Sequence, residues 1–209
     1  MFTQRTAGRW LKLKNMEALS LYHREVLPSS LTRGEREFAC EYLAFTKNLL
    51  LDSIAGLSRA AMDARTEPDR WSMAENIEHL ALAGDITWKI LHELLGKGPT
   101  PERREQIRMS IKKIICIMSD RSRKCTSLSG LLPSGRFADT AAALAHFVEQ
   151  RDRLIDYVRH TEDGLKDRHG FHPFVGTVNL FQFLLLEGAH TARHVLQIEE
   201  IKSEFGLWD

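Results

Sequence analysis

The sequence predicts an all-α fold: an up-and-down four-helix bundle with an extra helical segment between helices 2 and 3. Three observations carry that expectation. Four long stretches repeat apolar residues at steps of three and four, the period of a helix with one buried face. Two of them open with a reciprocal capping signature, Thr32 with Glu35 and Ser72 with Glu75. No stretch of any length alternates apolar and polar residues as a half-buried strand does.

Residues 1–30 read as an N-terminal extension with room for a short helix before Pro28-Ser29-Ser30, and residues 31–205 as the bundle domain. Phe38, Tyr42, Phe45, Leu49, Ile54 and Leu57 define a first helix over Arg33–Ser58. After a loop through Arg65–Pro68, Ile77, Leu80, Gly84, Trp88, Leu91 and Leu95 define a second, stopped by Gly96, Gly98 and Pro99. Pro101–Cys125 combines Arg103, Arg104, Arg108, Lys112, Lys113, Arg121, Arg123 and Lys124 with an isoleucine stripe, which predicts one helix with a solvated basic face. Thr126–Gly135 reads as a loop. Thr140 is the expected cap of a third core helix carrying Leu144, Phe147, Leu154 and Val158 to His160. A polar loop over Thr161–Pro173 then leads to a last helix from near Thr177 to Phe205.

With 43% apolar and 27% charged residues the chain is neither disordered, collagenous nor membrane-spanning. Its most apolar run, Leu180–Leu186, is far too short for a bilayer. The 29 basic and 28 acidic residues cancel to +1, so net charge favours neither nucleic acid nor a membrane surface as partner. Cys40, Cys116 and Cys125 are scattered and odd in number, which argues against a disulfide framework and against a thiolate zinc site. Reduced thiols and no apolar leader before Lys14 make the expected location cytoplasmic.

Nine histidines stand against those three cysteines. His190 and His194 lie one turn apart on the last helix, on a face extended by Phe183, Leu186 and Ile201, within reach of a single ion. Adjacent inward-facing imidazoles are hard to satisfy without a ligand. His79 on the second helix is the candidate third ligand, since facing helices of a bundle supply a shared interior site. A core histidine bonded to a neighbour is the plainer reading of the same residue. His23, His92, His146, His160, His169 and His172 are less specific, although His172 is placed to reach a pocket mouth.

At these residues the chain resembles a known family. Trp71-Ser72-Met73-Ala74-Glu75-Asn76-Ile77-Glu78-His79-Leu80 is similar to the W-S-x-x-E-x-x-x-H-L segment of the DinB/YfiT-like superfamily. His190-Thr191-Ala192-Arg193-His194-Val195-Leu196-Gln197-Ile198 is similar to its H-x-x-R-H-x-x-Q-I segment, and His172-Pro173-Phe174-Val175-Gly176 to the loop before its last helix. The likeness spans about Leu31 to Lys202. It implies a four-helix bundle, a divalent metal held by His79, His190 and His194, and a homodimer. It also implies a metal-dependent hydrolase or a transferase using a low-molecular-weight thiol.

Three neutral imidazoles leave a divalent metal an open position, so metal-bound water or thiol is the expected nucleophile. Zinc or nickel is the first choice of metal, although ligand type does not decide it. Thr191 replaces the Glu of H-E-x-x-H, which disfavours a peptidase of that kind. A hydrolase needs a proton acceptor near the metal-bound water, for which Glu187, one turn before His190, is the candidate, and Gln197, one turn after His194, is the candidate for orienting a ligand or substrate. The expected partner is a small molecule, with the basic segment suited to an anionic one, and no nucleic acid. A non-catalytic metal- or ligand-binding bundle acting in stress, and a plain helical interaction module, are the competing readings.

Overall fold

The computed structural model describes residues 29–122 and 129–207. The expected N-terminal helix and His23, and Arg123, Lys124, Cys125 and the start of the loop after them, lie outside the described residues.

Four long helices form the bundle: α1 (Arg33–Ile54), α3 (Met73–Lys97), α5 (Thr140–His160) and α6 (Leu180–Glu204). Short α2 (Arg59–Asp63) precedes α3, and α4 (Ile111–Ser119) lies between α3 and α5. Both predicted capping boxes are present, at Thr32 and Ser72. α5 is capped by Asp139 rather than Thr140; the carboxylate accepts the Ala142 N–H at 2.8 Å, leaving Thr140 as the first helical residue.

Two expectations are corrected. The basic segment is not one helix. A 3-10 turn over Pro101–Gln106 is followed by α4, whose cap Ser110 takes the Lys113 N–H and so interrupts a continuous helix. The stretch before the last helix is not all loop. His169–His172 (β1) pairs antiparallel with Gly176–Asn179 (β2). Gly176 turns the hairpin at φ 77°, a conformation that disfavours any side chain. Thr177 therefore belongs to β2, and α6 starts three residues later behind a reciprocal cap between Asn179 and Gln182.

Side-chain contacts give the course of the chain. Arg36 donates to Val158 O and Lys47 pairs with Asp152, so α1 and α5 are antiparallel. Tyr42 meets Gly188 and Lys202 donates to Ser53 O, so α1 and α6 are parallel. Asn76 meets His194 and Thr87 meets Glu187, so α3 and α6 are antiparallel. The chain runs up, down, down, up, which refines the expected alternation at its middle step. The step from α3 to α5 needs a return, and α4 supplies it. Gln182 donates to Met109 O at the lower end of α6, and Arg193 donates to Asp120 O higher up. The segment predicted as an addition is thus the crossover.

The core divides into two apolar clusters, one around Tyr42, Leu91, Ile114 and Phe181, the other around Leu50, Ile77, Phe147 and Ile198. At their level lies a polar group that touches every long helix. Arg151 of α5, 3% exposed, donates to Thr46 Oγ1 of α1 (3.1 Å) and to Glu187 O (3.2 Å) and Thr191 Oγ1 (2.9 Å) of α6. Its guanidinium stands 3.7 Å from the Glu187 carboxylate, which also accepts from Thr87 of α3 at 2.5 Å. Phe147 packs under the cation at 5.1 Å.

Arg151→Ala leaves the Glu187 carboxylate buried without its cation. The expected loss is about 3–5 kcal/mol in urea unfolding. Gly188→Ala puts a methyl 2.4 Å from Tyr42 and is expected to cost about 1–3 kcal/mol, whereas Gly34→Ala in open space costs nothing in the same assay.

Candidate metal centre

The structure brings His79, His190 and His194 together, with their nearest ring nitrogens all within 4.8 Å of one another. His79 reaches in from the upper part of α3, and the pair from α6 opposite. Nε2 of His190 lies 3.0 Å from Nε2 of His79 and 3.0 Å from Nε2 of His194. His79 and His194 are buried, and His190 is half-buried.

The other ring nitrogens decide what those Nε2 atoms offer. His79 Nδ1 is 2.7 Å from Leu131 O, an atom that only accepts, so Nδ1 carries the proton. His194 Nδ1 is 2.7 Å from Asn76 Oδ1, and Asn76 Nδ2 donates to Ser72 O at 2.8 Å, which fixes that amide's orientation. His194 is therefore also protonated on Nδ1. Both rings aim an Nε2 lone pair at His190, whose own Nε2 has at most one proton for the two. Burial holds all three imidazoles below the ordinary value of 6.5, and His190 and His194 are held lower still by their imidazole neighbours. The donor set fits a divalent cation of the kind for which neutral imidazoles are normal ligands. Trp71 closes one side, stacked at 18° on His194 and 4.9 Å from His79.

Glu187, the expected proton acceptor, and Gln197, the expected orienting residue, both have partners of their own. Both Glu187 oxygens are taken by Thr87 and Arg151, and burial pushes the carboxyl above the usual carboxylate range. Gln197 accepts from Arg121 at 3.2 Å, and Arg121 also pairs with Glu200 at 2.7 Å, tying the crossover to α6. Arg104 pairs with Asp167, and Arg103 donates to His169 O, so these two arginines fasten the crossover to the stretch before α6. His146 pairs with Asp85 at 3.0 Å, His160 with Asp156, and His169 with Thr100. His172 packs edge-on against Phe183 at 6.2 Å, two turns below His190 on α6.

Two residues that orient the imidazoles were not read as such from the sequence: Asn76 and Leu131. Asn76 precedes His79 by three residues and so shares its helix face, a signal present in the spacing. Leu131 acts through its backbone carbonyl, which no side-chain pattern reveals.

Among the described residues no helix is long and apolar enough to cross a membrane.

A family model described as the DinB superfamily matches residues 42–198. The uncharacterized protein YuaE of Bacillus subtilis is 24% identical over 153 residues, spanning 73% of this chain and 90% of its own length. Among solved structures, the chain is similar to YfiT from Bacillus subtilis, described as a probable metal-dependent hydrolase with an unusual four-helix bundle topology. The TM-score is 0.54 at 16% identity, over 90% of this chain and 95% of that one, a likeness of fold.

The depressed imidazoles give stability a pH dependence whose sign is fixed. Below about 6.5 the unfolded chain takes up protons that the native rings refuse, so metal-free protein loses stability as pH falls and keeps it fully above that value. Urea midpoints of chelator-treated protein from pH 7 to 5 should fall more steeply for wild type than for His190→Ala/His194→Ala. Equal slopes contradict the assignment.

Proposed function

This chain belongs to the DinB superfamily, and we propose that it is a metal-dependent hydrolase of a small molecule, with His79, His190 and His194 holding one divalent cation. The observation that supports the reading is the ring-nitrogen arrangement: two lone pairs held toward a third imidazole with one proton at most to offer. The description of YfiT as a probable metal-dependent hydrolase points the same way. When bound, a divalent cation in such a set supplies Lewis-acid chemistry, polarising a substrate carbonyl and acidifying water.

The chain's own residues orient and shield. The Leu131 carbonyl and the Asn76 amide each hold one ring in the tautomer that leaves Nε2 free. Trp71 excludes water from the side it covers. His190 is the ligand at the half-open edge, where a small molecule approaches. A zinc-peptidase arrangement has no place here. Thr191, where H-E-x-x-H carries its base, donates to Glu187 O at 2.9 Å and accepts from Arg151. Glu187 itself is committed to the central ion pair.

Elemental analysis of purified, dialysed protein tests the centre. Wild type should carry close to one divalent cation per chain, and His190→Ala/His194→Ala only traces. Ester and amide panels should give turnover that chelation removes and added metal restores. Equal metal in the two proteins overturns the site. Stoichiometric metal with no turnover overturns the hydrolase.

A further inference from the structure

Residues 131–136 of the crossover lie against α3, which grips them with two successive residues. Glu78 is 9% exposed. Its Oε1 accepts the N–H of Ser134 (3.0 Å) and of Arg136 (2.9 Å), and its Oε2 that of Gly135 (3.2 Å). Three backbone donors converge on one carboxylate, and such charge-assisted bonds are about twice as strong as neutral ones. The next residue, His79, donates its Nδ1 proton to Leu131 O, three residues earlier in the same loop. α6 secures the other arm of the crossover, through Arg193 on Asp120 O and through Gln197 and Glu200 on Arg121.

Building on the metal-centre reading above, we propose that Glu78 is a positioning residue for that centre. By holding residues 134–136 it keeps the Leu131 carbonyl in line with His79 Nδ1, and so keeps the His79 Nε2 lone pair aimed at His190 and His194. A neutral imidazole has one proton, and the partner of one nitrogen decides which nitrogen carries it. With Glu78 removed, three N–H groups lose their acceptor and the loop relaxes from α3. His79 then has no fixed acceptor for Nδ1, and its proton redistributes to Nε2, the atom a metal needs free. Glu78 touches neither metal nor substrate in this scheme. It acts through the loop, which separates it from Asn76, whose amide contacts a ligand ring directly.

The test uses full-length wild type, Glu78→Ala and Glu78→Gln. Two quantities are read: Co2+ affinity by competition with a chelator of known affinity, and the His79 ring tautomer by 15N NMR of metal-free protein. Loss of an outer partner of a metal-binding histidine typically costs about 10–100-fold in metal affinity. Glu78→Ala should weaken Co2+ by that factor and erase the single Nδ1–H form of His79. Glu78→Gln retains one acceptor oxygen and should lose less. A purely structural role lowers the melting temperature of the variants and moves neither quantity. Any folded Glu78 variant with wild-type Co2+ affinity and an intact His79 Nδ1–H overturns the inference. If wild type itself binds no Co2+, the metal-centre reading fails separately. The tautomer then decides alone: an unchanged His79 Nδ1–H in the variants overturns the link from Glu78 to the ring, and its loss upholds that link.

Discussion

A guanidinium buried in the middle of the bundle sets how the four long helices meet. Arg151 and its counter-charge Glu187 draw on Thr46, Thr87 and Thr191, so that α1, α3, α5 and α6 each contribute a polar atom to one cluster. Apolar packing alone tolerates small slides of one helix along another. A buried charge does not, because every lost hydrogen bond there leaves a desolvated polar group. The cluster lies one turn from His190 on α6, and Thr87 is two turns from His79 on α3. The register that brings the imidazoles within 4.8 Å of one another is therefore held next to the place where it matters.

The up-down-down-up course is the second constraint. Two consecutive parallel helices require the chain to travel back along the bundle, and α4 makes that journey against α6. Beyond it in the chain, Arg121 meets Gln197 and Glu200 of α6, and residues 131–136 meet Glu78 and His79 of α3. Topology and site are thus one problem. The segment that closes the fold also delivers the Leu131 carbonyl to His79 and the N–H groups of residues 134–136 to Glu78. Arg103, Arg104 and Arg121 make ion pairs or backbone bonds with β1, the preceding turn and α6, and in those places they fasten the crossover.

Burial gives the three imidazoles their chemistry. In water they would share a mixture of tautomers and a substantial fraction of charge near neutrality. Inside the bundle they are held neutral, two of them in one tautomer, by groups that cannot donate to them. That state is poor as a hydrogen-bonded cluster and good as a ligand set, because lone pairs facing each other at 3.0 Å are stabilised by a cation between them.

The sequence by itself determined the four long helices, the caps of the first two and the three candidate ligands. Those features are local: a 3.6-residue period, a Ser or Thr three residues before a Glu, and two histidines one turn apart with a third in a similarly apolar setting. The hairpin escaped because its strands are four residues each, too short for alternation to show. The break before α4 escaped because Ser110 as a cap looks like Ser110 on a polar face. What only the tertiary structure decided is non-local. The direction of α5 depends on where the crossover goes, and the assignment of Glu187 to Arg151 on packing between helices 36 residues apart in sequence. The orientation of His79 depends on a backbone carbonyl 52 residues away. A side-chain pattern encodes which face of a helix is buried. It does not encode which distant carbonyl meets that face, because every residue has one.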